Sequence, residues 1–117
     1  MIRLAAVWLG ALLGAGAARG FELPADSTQC VVGVADGWGS SHATLSFFEK
    51  RGGTWRRVGE AWPARLGKHG LVWGRGLHPL PRGASTKREG DFLAPAGVFR
   101  IGGVWGYAPG IRKHPQL

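Results

Sequence analysis

The sequence predicts an all-β fold, a partial β-sandwich of short, mostly antiparallel strands with a long irregular loop. Three observations lead there. No window of 11 or more residues downstream of Gly20 carries a helical period. Short β-branched and aromatic runs alternate with turn formers along the chain. The 117 residues include 21 Gly and 7 Pro without any fixed repeat, so breaks are frequent, while six Trp and five Phe supply apolar area that a disordered chain would lack.

Each element follows in order. "MIRLAAVWLGALLGAGAARG" opens with Arg3 and then runs apolar for 15 residues, Leu4 to Ala18. That is short of the roughly 20 a spanning helix needs. Ala18-Arg19-Gly20 offers small residues at a cleavage site. Residues 1–20 therefore read as a secretory signal peptide, and 21–117 as one domain, exported to the periplasm or the extracellular cell wall, with no membrane span after cleavage. Phe21 to Gln29 reads as a lead-in loop around Pro24. "CVVGVA" (Cys30 to Ala35) is apolar on both faces, a buried strand. "DGWGSSH" connects it to "ATLSFFEK" (Ala43 to Lys50), whose Leu45 and Phe47 fall on one face and Thr44, Ser46 and Phe48 on the other. "RGG" (Arg51 to Gly53) is a hairpin turn, since glycine accepts positive φ. In the next arm, Thr54 to Gly67, Pro63 cannot donate a ladder hydrogen bond, so that strand lies at an edge or breaks there. "GKHG" turns into the short strand "LVWG". A loop from Arg75 to Gly90 follows. "AGVFRIGGVWGYAP" then gives a strand, a bend and a second apolar piece.

Charge narrows the partners. Lys plus Arg is 15 and Asp plus Glu is 7, a net +8. Without residues 1–20, thirteen basic and seven acidic residues leave +6. A basic exported chain is expected to meet peptidoglycan or another anionic cell-envelope polymer, or the lipid surface, rather than nucleic acid; the alternative is a merely solvated basic face.

The residues that could carry chemistry form no catalytic, cofactor or metal constellation. Cys30, the one cysteine, cannot form an intramolecular disulfide, and an apolar strand blunts it as a nucleophile. His42, His69, His78 and His114 lie in loops or turns without metal spacing, and read as solvated. Ser40-Ser41 beside His42 reads as turn chemistry. Glu89 and Asp91 directly follow Lys87 and Arg88, an arrangement suited to a local ion-pair network. Trp38, Trp55, Trp62, Trp73 and Trp105 either fill the core or form a sugar-stacking face.

The segment "LGKHGLVWGRGLHP…KREGDFLAPAGVFRIGGVWGYAP" resembles the L,D-transpeptidase (YkuD-like) catalytic domain. The matching residues are Gly67, Gly70, Leu71, Trp73, Gly74 and Gly76, then Lys87, Glu89, Gly90, Asp91, Pro95, Ala96, Gly97 and Phe99, then Gly106, Tyr107 and Ala108. The likeness runs from about Cys30 to Pro109, and Phe92 stands where the family usually has glycine. The resemblance implies an exported domain of cell-wall remodelling, associated with peptidoglycan cross-linking through a cysteine thioester. It also implies a substrate-cleft loop made by Lys87, Arg88, Glu89, Asp91, Pro95 and Gly97. The family's nucleophile follows a catalytic histidine in an H…[ST]-x-G-C pattern downstream of this loop, which the chain to Leu117 does not contain. Cys30 does not match that pattern, and neither His78 nor His114 takes the histidine's role. The expectation is a truncated family member, inactive alone. The alternatives are a non-catalytic, Trp-bearing envelope-binding module, or a fragment without a stable fold.

Overall fold

The computed structural model describes residues 21–103, 107, 109 and 110, and the backbone of 4–10. The described chain is all-β, with strands β1 (Leu4–Gly10), β2 (Gln29–Ala35), β3 (His42–Arg51), β4 (Thr54–Arg65), β5 (Leu71–Trp73), β6 (Ala94–Ala96) and β7 (Val98–Arg100). Five of them form one sheet in the order β4-β3-β2-β1-β7, and β5 pairs with β6 in a second.

The β2-β3-β4 meander is antiparallel throughout. Its second hairpin turns on Gly52 and Gly53, at φ 56° and 79°. β4 is an edge strand, where the missing N–H of Pro63 removes no inner ladder bond. The register shifts between Leu45 and Phe47, a bulge across from the stretch of β4 that holds Gly59 at φ 72°. Beyond the meander the sheet is mixed. β1 runs parallel to β2, pairing Ala5 with Cys30, and antiparallel to β7, pairing Val7 with Val98.

Two features differ from the sequence expectation. Leu4–Gly10, inside the apolar run read as an export signal, is the strand between β2 and β7. The run expected to begin one strand at Ala96 is split at Gly97 (φ 141°), which sends β6 to the small parallel sheet and β7 to the large one. No Cβ fits at Gly97, because the His78 ring lies against its α-carbon.

Small side chains make the buried core. Cys30 and Val98, at 3% and 0% exposure, form one cluster, flanked by Phe21, Leu23, Val32, Phe48 and Trp55. Ala35, Ala43, Leu71 and Ala96 form the other. The large aromatics pack around these clusters rather than filling them. Trp38 and Trp62 remain 40% and 41% exposed, and Trp105 lies outside the described residues.

A chain starting at Phe21 would leave β2 and β7 each with an unpaired inner edge, and such edges template association. Residues 21–117 are therefore expected to show a lower denaturation midpoint than the full chain and concentration-dependent light scattering. A monodisperse monomer with an unchanged midpoint would mean that β1 is dispensable.

Candidate functional site

The turn Gly67–Gly70 joins two aromatic positions. Gly70 N–H donates to Gly67 O at 2.9 Å. On one side Leu71 N–H donates to Trp38 O at 2.6 Å, and Gly70, at φ 99°, lies against the Trp38–Gly39 backbone with no room for a Cβ. On the other side His69 N–H donates to Phe92 O at 3.1 Å, Ala94 N–H donates to Gly70 O at 2.8 Å, and Gly67 lies against the Phe92–Leu93 backbone. Both glycines of this turn are sterically required.

Trp38 and Trp73 meet at 5.2 Å between ring centroids, tilted by 57°. With Leu71, Pro81, Arg82 and Ser85 they line an open groove of about 400 Å³. The wall containing Arg82 belongs to the long loop after β5, which is tied back by Leu77 N–H to Val98 O at 2.7 Å and by Lys87 N–H to Trp73 O at 2.8 Å. Two tryptophans and an arginine lining one open groove suit a ligand with apolar sugar faces and carboxylates.

Asp91 organises the rest of the loop. Its carboxylate pairs with Lys87 Nζ, accepts Arg88 N–H at 2.7 Å, and accepts Leu93 N–H at 2.9 Å in an Asx-type turn. The Lys87 hydrogen bond, helped by the two backbone donors, holds its pKa down at about 2. Between these anchors Phe92 stands at φ 56°, the one positive-φ residue other than glycine among the described residues. For a bulky side chain that conformation costs roughly 1–2 kcal/mol, and glycine would relieve it. Phe92 is nonetheless 58% exposed.

The six residues expected to form a substrate-cleft loop divide into two groups. Lys87, the Arg88 backbone and Asp91 converge, while the Arg88 and Glu89 side chains are exposed. Pro95 lies in β6, paired with Val72, and Gly97 lies at the β6–β7 break. Cys30 sits buried in β2, where burial pushes its thiol pKa up and away from thiolate chemistry. His78 is not a solvated loop histidine. Its ring packs against Phe21, Trp73 and Phe99 at 5.5, 5.5 and 6.1 Å, and its buried Nε2 has no hydrogen-bond partner. His69 and His42 are exposed, and His114 lies outside the described residues. Ser40 Oγ donates to His42 O at 2.7 Å and accepts His42 N–H at 3.2 Å, so it serves the turn, while Ser41 Oγ lies 3.0 Å from His42 Nδ1 at an exposed position. Among the described residues, no group of three or more His, Cys, Asp or Glu could hold a metal, and no helix is long and apolar enough to cross a membrane.

Sequence reasoning named Trp38 and Trp73 among five tryptophans of a candidate sugar-stacking face, but it did not find their pairing or the conformation of Phe92. Only the glycine that the resemblance led one to expect at position 92 hinted at the second.

Because Asp91 titrates lower when folded than its ordinary value of 3.8, its carboxylate supports the fold fully above about pH 4. That support is lost as pH falls toward 2. Asp91→Asn is expected to lower the thermal midpoint at pH 7 and to flatten its decline between pH 4 and pH 2. An equally steep acid decline in the variant would place the titrating group elsewhere.

Comparisons with protein-family models, with curated proteins and with solved structures gave no match.

Proposed function

We propose that this chain is an exported, non-catalytic module that binds peptidoglycan or another anionic polymer of the cell envelope. In this reading it is built like the front portion of an L,D-transpeptidase domain, with its two sheets as part of a sandwich. The observation that carries the reading is the groove lined by Trp38, Trp73 and Arg82, with the two indole rings 5.2 Å apart. Indole faces stack on the apolar faces of sugar rings, and a guanidinium pairs with carboxylates in a planar fork. The net charge, +8 for the full chain and +6 without residues 1–20, draws an anionic polymer to the surface as a whole.

Export rests on the layout of residues 1–20, a basic start, an apolar stretch and small residues before Phe21. The truncated-enzyme reading shares the same location, and it keeps the loop of Lys87 to Asp91 as the frame of a cleft. Cys30 weighs against chemistry by this chain alone. A thioester-forming cysteine needs a thiolate and a base within hydrogen-bond reach, whereas this thiol is buried with its pKa raised.

Co-sedimentation of the full chain with purified sacculi tests the reading. Binding is expected at about 0.1 M salt and should fall sharply near 1 M, where the screening length drops from about 10 Å to about 3 Å. Trp38→Ala should weaken it roughly three- to tenfold, the size of a lost aromatic contact. Muropeptides recovered from the same incubation should be unchanged, and a carbapenem should leave no acyl adduct on Cys30. New cross-links, an adduct removed by Cys30→Ser, or no binding at low salt would overturn it.

A further inference from the structure

A strained aromatic residue that is exposed needs a reason other than packing. Phe92 holds φ 56° with 58% of its surface open, and a backbone fixed from both sides keeps it there. Asp91 accepts the Leu93 N–H, and the Phe92 carbonyl accepts the His69 N–H. Non-glycine residues in this region persist only where their surroundings over-determine them, and they cluster at binding and catalytic sites. The ring has company of a particular chemistry. Lys68 Nζ lies 4.4 Å from its centroid, and the His69 ring meets it nearly edge-on at 5.7 Å. Both come from the Gly67–Gly70 turn that also holds the Trp38 backbone.

We infer that Phe92, with Lys68 and His69, is a contact site for a carboxylate-bearing glycan, on which the aromatic ring stacks while the ammonium meets the carboxylate. The inference rests on the envelope-polymer reading and names a second place where that polymer is held. An exposed phenylalanine beside a lysine also suits an anionic lipid surface. Here, however, the ammonium lies over the ring itself, so sinking the ring into hydrocarbon would strip the charge of water. A glycan carboxylate pairs with that charge at the surface and demands no such desolvation.

The test uses the full chain and purified sacculi, with Phe92→Gly, Phe92→Asn and Phe92→Tyr. Glycine and asparagine accept the left-handed backbone without the ring, and tyrosine keeps the ring. The first two are expected to melt no lower than the native chain yet bind sacculi roughly three- to tenfold more weakly. Phe92→Tyr should bind like the native chain. Sacculus binding that falls with Trp38→Ala but is unchanged in Phe92→Gly and Phe92→Asn would overturn this inference and leave the envelope-polymer reading standing. No binding by the native chain would overturn both. Lower melting in both the glycine and asparagine variants would make the ring a packing residue and overturn the inference. So would binding of the native chain to phosphatidylglycerol vesicles, measured beside the sacculi, that is lost in Phe92→Gly and Phe92→Asn while sacculus binding is unchanged.

Discussion

The turn from Gly67 to Gly70 is the constraint on which the placement of Trp38 and Phe92 depends. Its two glycines leave no room for a side chain, because the backbone at Trp38–Gly39 crowds Gly70 and the backbone at Phe92–Leu93 crowds Gly67. Three hydrogen bonds fasten those neighbours, from Leu71 to Trp38, from His69 to Phe92 and from Ala94 to Gly70. The last of these starts the β5–β6 pairing that leads to Gly97 and on to β7. A Cβ at either glycine would push apart two segments at once, and a close-packed interior transmits such displacements.

Asp91 complements this turn from the loop side. Its carboxylate gathers a side-chain cation and two backbone donors, and so sets the path of the chain into β6. These bonds hold the path of a segment rich in charge and poor in apolar burial, against the conformational entropy that opposes ordering it. The strain at Phe92 follows from having both ends fixed. Rigid aromatic groups on a fixed backbone lose little conformational freedom when a ligand binds, which is the economy expected of a recognition surface.

Much of the large sheet was legible in the sequence. The alternation of Thr44 to Phe48, the Gly52–Gly53 turn and the position of Pro63 each express a local rule, and the meander obeys them. The strand Leu4–Gly10 was not legible. An apolar run behind one arginine fits the layout of an export signal, and its pairing with β2 and β7 is non-local, with no pattern in the run itself that points to those partners. The split at Gly97 was hidden because "AGVFR" is as apolar after the glycine as before it. β6 and β7 part at Gly97, whose φ is 141°, and the His78 ring from the loop after β5 lies against that glycine. The groove was hidden for the same reason. Trp38 sits in the β2–β3 connection and Trp73 ends β5, and neither carries a local pattern that points to the other.

In the proposed function, the one turn Gly67–Gly70 presents Trp38 and Phe92 to the same envelope polymer. The most direct measurement is an NMR titration of the 15N-labelled full chain with soluble peptidoglycan fragments. The account predicts shifts at the indole N–H groups of Trp38 and Trp73 and at the amides of Lys68 to Gly70 and Phe92 to Ala94, with the indoles of Trp55 and Trp62 unmoved. Shifts confined to Trp55 and Trp62, or none at saturating fragment, would contradict it.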